Sequence, residues 1–214
     1  MIKYSPFINM NHQETAELRG CMCNETKLYR KGDIIMQLPE YQDHICIVDK
    51  GIAHLVRIDI NGTKSIIDYY EESDVFGVIF SPDTSTDTFY VIAKENCTIT
   101  FINYNKLLTR CDKNCDKHLR FINNIILTAN EKAQLHIDVL SQRTTRAKLM
   151  TYLRYLGKTN NGNIINLPLS LSDLANYLAV DRSAMMREIK KMNDENIISS
   201  DGNSVTVKNN GYGF

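Results

Sequence analysis

Residues 170–193 read SLSDLANYLAVDRSAMMREIKKMN. Ser170 is placed to cap a helix, and Asp173 follows three residues on, a capping box with Asp in place of Glu or Gln. Leu171, Leu174, Ala175 and Leu178 recur on one face of that helix, as a period near 3.6 requires. Ala179-Val180-Asp181 interrupts it. A second helix is expected from Arg182 to about Asn193, burying Met185, Ile189 and Met192. Two short helices across a three-residue turn are the signature of a helix-turn-helix, and the small Ala175 suits their close approach. Ile197-Ile198, then Asp201-Gly202 and the alternating Val205-Thr206-Val207, read as a β-hairpin wing.

The positions outside the buried stripe carry the chemistry. Arg182, Ser183, Met186, Arg187 and Lys190 face away from it. In a helix-turn-helix the N-terminal part of the second helix enters the major groove. There an arginine bridges guanine O6 and N7 or clamps a phosphate. Ser170 and Ser172 stand where the first helix begins, whose N–H groups suit a backbone phosphate. A solvated charged face on a small helical subdomain would use the same residue types. The wing, the upstream sequence and the charge distribution favour double-stranded DNA.

That distribution is hidden in the totals. The chain of 214 residues holds 25 Lys+Arg and 25 Asp+Glu, a net charge of zero. Cut after Ser141, it separates into 15 basic against 19 acidic residues and then 10 against 6, that is −4 and +4. A basic half beside an acidic one points to a polyanion partner for the basic half. The hydrophobic fraction of 43% excludes a disordered chain. No apolar run reaches the roughly 18 residues of a membrane span, so no membrane association is expected. The N-terminal residues lack the apolar stretch of a signal peptide. Six cysteines without an export signal then suggest free thiols in a reducing cytoplasm.

Upstream of the basic half, residues from about Leu28 to Tyr104 are β-like. Ile45–Val48, Ala53–Ile58, Ser65–Tyr69, Phe89–Ala93 and Cys97–Ile102 read as strands. Asn61-Gly62 signals a type I′ hairpin. Short strands at this spacing predict a sandwich or barrel. From Asp116 to Ser141 there is neither Gly nor Pro. Leu119, Ile122, Ile126, Ala129, Ala133 and Leu140 recur at steps of three and four, with His136 in the remaining place. A second stripe carries Phe121, Ile125, Leu135 and Val139. Two apolar stripes suit a helix packed on its own domain and on a second copy of itself, although a plain amphipathic core helix would share much of the pattern.

The order of these parts resembles the Crp/Fnr family of bacterial transcription regulators, over nearly the whole chain from about Leu28 to Lys208. The best-matching segment is Leu174 to Glu188, followed by Asn196-Ile197-Ile198. Softer matches occur in order at Lys31-Gly32-Asp33, Val48-Asp49-Lys50-Gly51, Asn61-Gly62 and Asp74-Val75-Phe76-Gly77. The resemblance implies an α+β protein in three parts. These are a cyclic-nucleotide-binding-like β-barrel of the jelly-roll kind over residues 1–115, a dimerisation helix over 116–141 and a winged helix-turn-helix over 142–214. It implies a homodimer on a pseudo-palindromic site, with RNA polymerase as a further partner. Arg182 and Arg187 match the two arginines of the family's recognition helix. Ser183 falls where many members carry a base-reading glutamate, and Asp181 where a Ser or Thr often caps.

The effector is a separate question. Cyclic-nucleotide-binding members carry Gly-Glu after the phenylalanine, where the Glu holds the ribose, and then Arg-Ser/Thr-Ala, where the Arg neutralises the phosphate. Here Phe76-Gly77 leads to Val78, and the arginine position holds Asp87 followed by Thr88. A carboxylate there repels a phosphate, so a small effector other than cyclic AMP is expected in the pocket marked by these five residues. The cysteines, at 21, 23, 46, 97, 111 and 115, do not reproduce the spacing of iron–sulfur members, and no histidine is marked as a haem ligand. Neither group is expected. A redox-responsive regulator using the cysteines, or a sensor whose DNA-binding part has degenerated, remain the alternatives. No Walker loop, nucleophile elbow, HExxH or dinucleotide fingerprint is present, so no enzyme is expected. Isothermal titration with micromolar cyclic AMP is expected to give no heat of binding, and saturable micromolar binding would overturn that expectation.

Overall fold

A computed structural model describes residues 5–38, 43–77, 88–109, 116–159 and 164–208, without the side chains of residues 23, 24 and 159. The chain divides into two compact units, Tyr4–Asn130 and Glu131–Phe214. Among the described residues no helix is long and apolar enough to cross a membrane.

The first unit starts with a helix, α1 (His12–Met22), followed by strands β1 (Cys23–Tyr29), β2 (Ile34–Leu38), β3 (His44–Lys50), β4 (Ala53–Ile58), β5 (Lys64–Tyr70), β6 (Val75–Gly77), β7 (Thr88–Ala93) and β8 (Cys97–Asn103). They form two antiparallel four-stranded sheets, in the orders β1-β8-β3-β6 and β2-β7-β4-β5. Alternation decides what each strand buries: Phe89, Val91 and Ala93 of β7 point inward, the residues between them outward. Met36, Cys46, Val48, Leu55, Phe76, Ile99 and Phe101 close the core shared by both sheets. This is the barrel the sequence pattern predicts. Its β region starts at Cys23 and also includes β2 and β6, which the pattern does not mark.

The Asn61-Gly62 hairpin forms, but not as a type I′ turn. Of the two residues only Gly62 has positive φ, at 78°. Its N–H donates to Asp59 O at 2.9 Å, and Asp59 N–H donates to Thr63 O at 3.1 Å. That is a type I turn closed by a left-handed residue. Asp59 is the physical reason: its Oδ1 accepts from the N–H groups of Asn61 at 2.9 Å and Thr63 at 2.8 Å, holding the longer loop.

A second apolar cluster lies outside the barrel. Ile45, Ile47 and Ile102 pack there with Leu18 and Met22 of α1, Leu107 of α2 (Tyr104–Leu108), and Phe121 and Ile125 of α3 (Asp116–Ser141). The N-terminal segment is fastened to α3 by polar contacts as well. Asn124 Nδ2 donates to the carbonyls of Pro6 at 3.1 Å and Ile8 at 3.0 Å. Arg120 reaches Asn9 O at 3.1 Å and Glu14 Oε1 at 2.6 Å, and Lys117 pairs with Glu17. The Phe7 and Phe121 rings stand 5.4 Å apart.

The stripes of α3 separate. Phe121, Ile125, Leu135 and Val139 are buried, whereas Leu119, Ile126 and Leu140 are exposed, joined by Ile137. His136 is half-buried and stacks on Tyr177 with centroids 4.6 Å apart and planes at 12°. Its place in the seam is thus a packing contact with an aromatic ring of its own unit.

The second unit contains the rest of α3, then α4 (Thr145–Thr159), β9 (Ile164–Asn166), α5 (Leu171–Tyr177), α6 (Arg182–Asp194), β10 (Ile198–Asp201) and β11 (Ser204–Val207). The three strands form one sheet in the order β10-β11-β9.

Phe121→Ala is expected to destabilise the protein by about 3–5 kcal/mol, because a fully buried ring leaves a cavity between sheet and helix. Urea unfolding reads this directly, and a loss under 1 kcal/mol would show that the cluster carries little of the fold.

Candidate nucleic-acid interface

Both helices of the helix-turn-helix are capped by their own side chains. Ser170 Oγ accepts from Asp173 N–H at 3.2 Å and donates to Asp173 Oδ2 at 2.6 Å. The capping pair is therefore closed hydroxyl to carboxylate. Asp181 Oδ1 accepts from Ala184 N–H at 2.8 Å and starts α6. Between them Ala179 adopts positive φ, 50°, and Val180 N–H returns to Ala175 O at 3.0 Å. Lys148 Nζ donates to the Leu178 carbonyl at 2.9 Å, neutralising the C-terminal end of α5.

The rotation of α6 follows from its buried stripe. Met185, Ile189 and Met192 are buried, and the helix packs on α4, α5 and β10. Arg182, Ser183, Met186, Arg187 and Lys190 are exposed, as are Ser170 and Ser172. Arg182, Met186 and Lys190, four residues apart, follow one line along the helix; Ser183 and Arg187 follow the next. The structure thus places all seven DNA-contact candidates at the surface of one unit, two at the start of α5 and five along α6. Leu171 is only half-buried, while Tyr177, unmarked in the sequence pattern, is buried.

A clamp from α4 fixes α6. Arg146 Nε donates to Glu188 Oε1 at 2.5 Å, and its two terminal nitrogens hold Glu195 at 2.6 and 3.1 Å. The hydrogen bonds from Arg146 pull the Glu195 carboxyl below its ordinary value, and those from Glu195 and then Glu188 push the guanidinium up. Between those two glutamates in sequence, Asn193 Nδ2 donates to Ser200 Oγ at 2.7 Å and its Oδ1 accepts from Ser200 N–H at 2.9 Å, tying α6 to the wing. None of these residues was visible as functional in the sequence. The partners of Arg146 lie 42 and 49 residues away, beyond any local pattern.

Comparison with known proteins agrees with this geometry. Residues 26–114 match the cyclic nucleotide-binding domain and residues 147–210 the Crp-like helix-turn-helix domain. The chain belongs to the Crp/Fnr family of transcription regulators. Among its Crp/Fnr relatives, the probable transcriptional regulator flp of Lacticaseibacillus casei is 22% identical, with 95% of this chain and 91% of the relative covered. The nitrogen fixation regulation protein FixK of Rhizobium meliloti is 21% identical over 90% of this chain and 85% of its own. A CooA mutant from Carboxydothermus hydrogenoformans superposes with a TM-score of 0.73, at 13% identity, over 95% and 94% of the two chains. The protein is thus a Crp/Fnr-type regulator with a helix-turn-helix DNA-binding domain.

Three of the five effector positions in the Crp/Fnr barrel fall within the described residues. Phe76 is buried and stacks on Tyr70 with ring centroids 5.0 Å apart. Gly77 has φ of 124°, and a Cβ there would collide with the His44 carbonyl, so the close β3–β6 pairing requires glycine. Thr88 opens β7 opposite Ile58. Val78 and Asp87 lie outside the described residues. Of the cysteines, Cys46 and Cys97 are buried in the barrel and Cys21 is exposed on α1. Burial pushes both buried thiols up, away from thiolate. The Cys23 side chain, Cys111 and Cys115 lie outside the described residues. Among the described residues no three His, Cys, Asp or Glu side chains are grouped to hold a metal.

Because the Glu195 carboxyl is lowered, its contribution to stability is complete above its ordinary value of 4.5 and is lost as pH falls through the folded value. Thermal unfolding of the wild type is therefore expected to weaken below about pH 4.5 more than that of Arg146→Ala, in which Glu195 has lost its partner. Parallel pH profiles of the two proteins would show that the clamp is idle.

Proposed function

We propose that this regulator acts as a homodimer, joined through α3, that presents two α6 helices to a pseudo-palindromic site in duplex DNA. The observation that carries the reading is the outward face of α6. It exposes Arg182, Arg187 and Lys190, while the one carboxylate within Arg182–Lys191, Glu188, is held by Arg146. A cationic face with its acid already neutralised suits the major groove and its flanking phosphates. Ser170 and Ser172 flank that face as contacts to the DNA backbone.

The exposed Leu119, Ile126, Ile137 and Leu140 on α3 support self-association. An apolar line at helical spacing on an exposed face is what a second copy of the same helix would cover. Two recognition helices then meet half-sites about 34 Å apart. The effector is a small molecule other than cyclic AMP, since in the sequence Val78 and Asp87 occupy the positions at which cyclic-nucleotide-binding members carry a glutamate and an arginine. RNA polymerase is the further partner expected of a regulator bound beside a promoter.

Fluorescence anisotropy with a selected operator tests the central claim. Affinity is expected to fall steeply with rising salt, and Arg182→Ala to cost about 1–3 kcal/mol at the specific site. Binding that ignores salt, or an unchanged affinity for Arg182→Ala, would remove this face from DNA recognition.

A further inference from the structure

The geometry points to Met186 as a specificity-determining residue that reads the 5-methyl group of a thymine in each half-site. The inference rests on the DNA-binding reading of α6 given above and deepens it.

Met186 is the exception on its helix. Met185, Ile189 and Met192 are buried, whereas Met186 is 37% exposed, a large apolar side chain left on the charged face. It lies on the line between Arg182 and Lys190, one helical turn from each, with Ser183 a turn back on the neighbouring line. An unbranched thioether is flexible and polarisable, suited to a small apolar target of uncertain height. In the major groove the apolar target is the thymine methyl.

The rest of the face narrows the choice. Bidentate arginine selects guanine, amide side chains select adenine, and a carboxylate selects the cytosine amino group. The five outward candidates are two arginines, a lysine, a serine and Met186, with no amide among them. Of the nearby carboxylates, Glu188 is turned to Arg146 at 2.5 Å and Asp181 accepts from the Ala184 N–H as the cap of α6. The face therefore holds readers for guanine and for the thymine methyl, and none dedicated to cytosine. Ser183, able to donate or accept, is compatible with thymine O4 or adenine N7 on the same or the adjacent pair. The predicted half-site sets a guanine read by arginine close to a thymine touched by Met186.

Uracil in place of thymine removes that methyl and leaves pairing intact. Operators would first be selected from random duplexes with the full-length protein. Each thymine of the selected half-site would then be replaced by deoxyuridine, and binding compared for wild type, Met186→Ala and Met186→Leu. In the wild type one thymine position is expected to lose about fourfold per half-site on replacement, the scale of one buried methyl-sized group. Met186→Ala is expected to bind the thymine operator about as weakly as the wild type binds the uracil operator, and to be indifferent to the replacement. Met186→Leu retains part of the discrimination. Circular dichroism melting should be unchanged in both variants, since the side chain is exposed. If the wild type is blind to uracil at every position, or Met186→Ala keeps the full penalty, the inference fails while DNA binding stands. A protein with no salt-sensitive DNA binding fails the parent reading and this one with it.

Discussion

The burial of Met185, Ile189 and Met192 fixes the rotation of α6, and what the second unit offers to a partner follows from that rotation. Three buried side chains at steps of four and three leave one orientation in which they all escape water. Each contributes about 1.5–3 kcal/mol when fully buried, enough to outweigh the exposure of Met186 beside them. The caps then fix where the helix begins. Arg146 and the Asn193–Ser200 pair fix it to α4 and to the wing, and Lys148 ties α4 to the turn that precedes it. A recognition surface is useful only if its side chains start from a rigid helix, because ordering them at the moment of binding would cost affinity.

The helix-turn-helix was legible in the sequence because its determinants are local. Ser170 and Asp181 cap helices within three residues of themselves, and the apolar periodicity of α6 is intact from Met185 to Met192. The barrel strands with alternating or apolar runs, β3, β4, β5, β7 and β8, were equally plain. The strand β1 was not. Its residues Cys23–Tyr29 are mostly polar, and pairing with β8 along one edge holds them in the sheet. The helix α1 was missed for a similar reason: its partners Lys117 and Arg120 lie about a hundred residues away. Asn61-Gly62 gave the right hairpin and the wrong turn, because the Asp59 carboxylate favours a longer loop than the dipeptide alone suggests.

The site was legible unevenly in the same way. Exposure along α6 follows from helical period, so the five outward residues could be named in advance. The fate of Glu188 could not, because its guanidinium partner sits on another helix. The structure turns that glutamate to Arg146. The cysteines divide by burial rather than by spacing. Cys46 and Cys97 are core residues with raised thiols, which makes them poor redox sensors, whereas Cys21 is open.

The fastening of the N-terminal segment bears on how the first unit is made. Pro6, Ile8, Asn9 and Glu14 find their partners on Arg120 and Asn124, with separations of 106 to 118 residues. Such contacts close the largest loops in the unit, and loop closure delays them. During synthesis the chain emerges from its N-terminus, so this segment leaves the ribosome before the start of α3 and waits until that helix has followed. Residues made ahead of the barrel are therefore seated after the start of α3 has been made, and the barrel between them must take shape without their help.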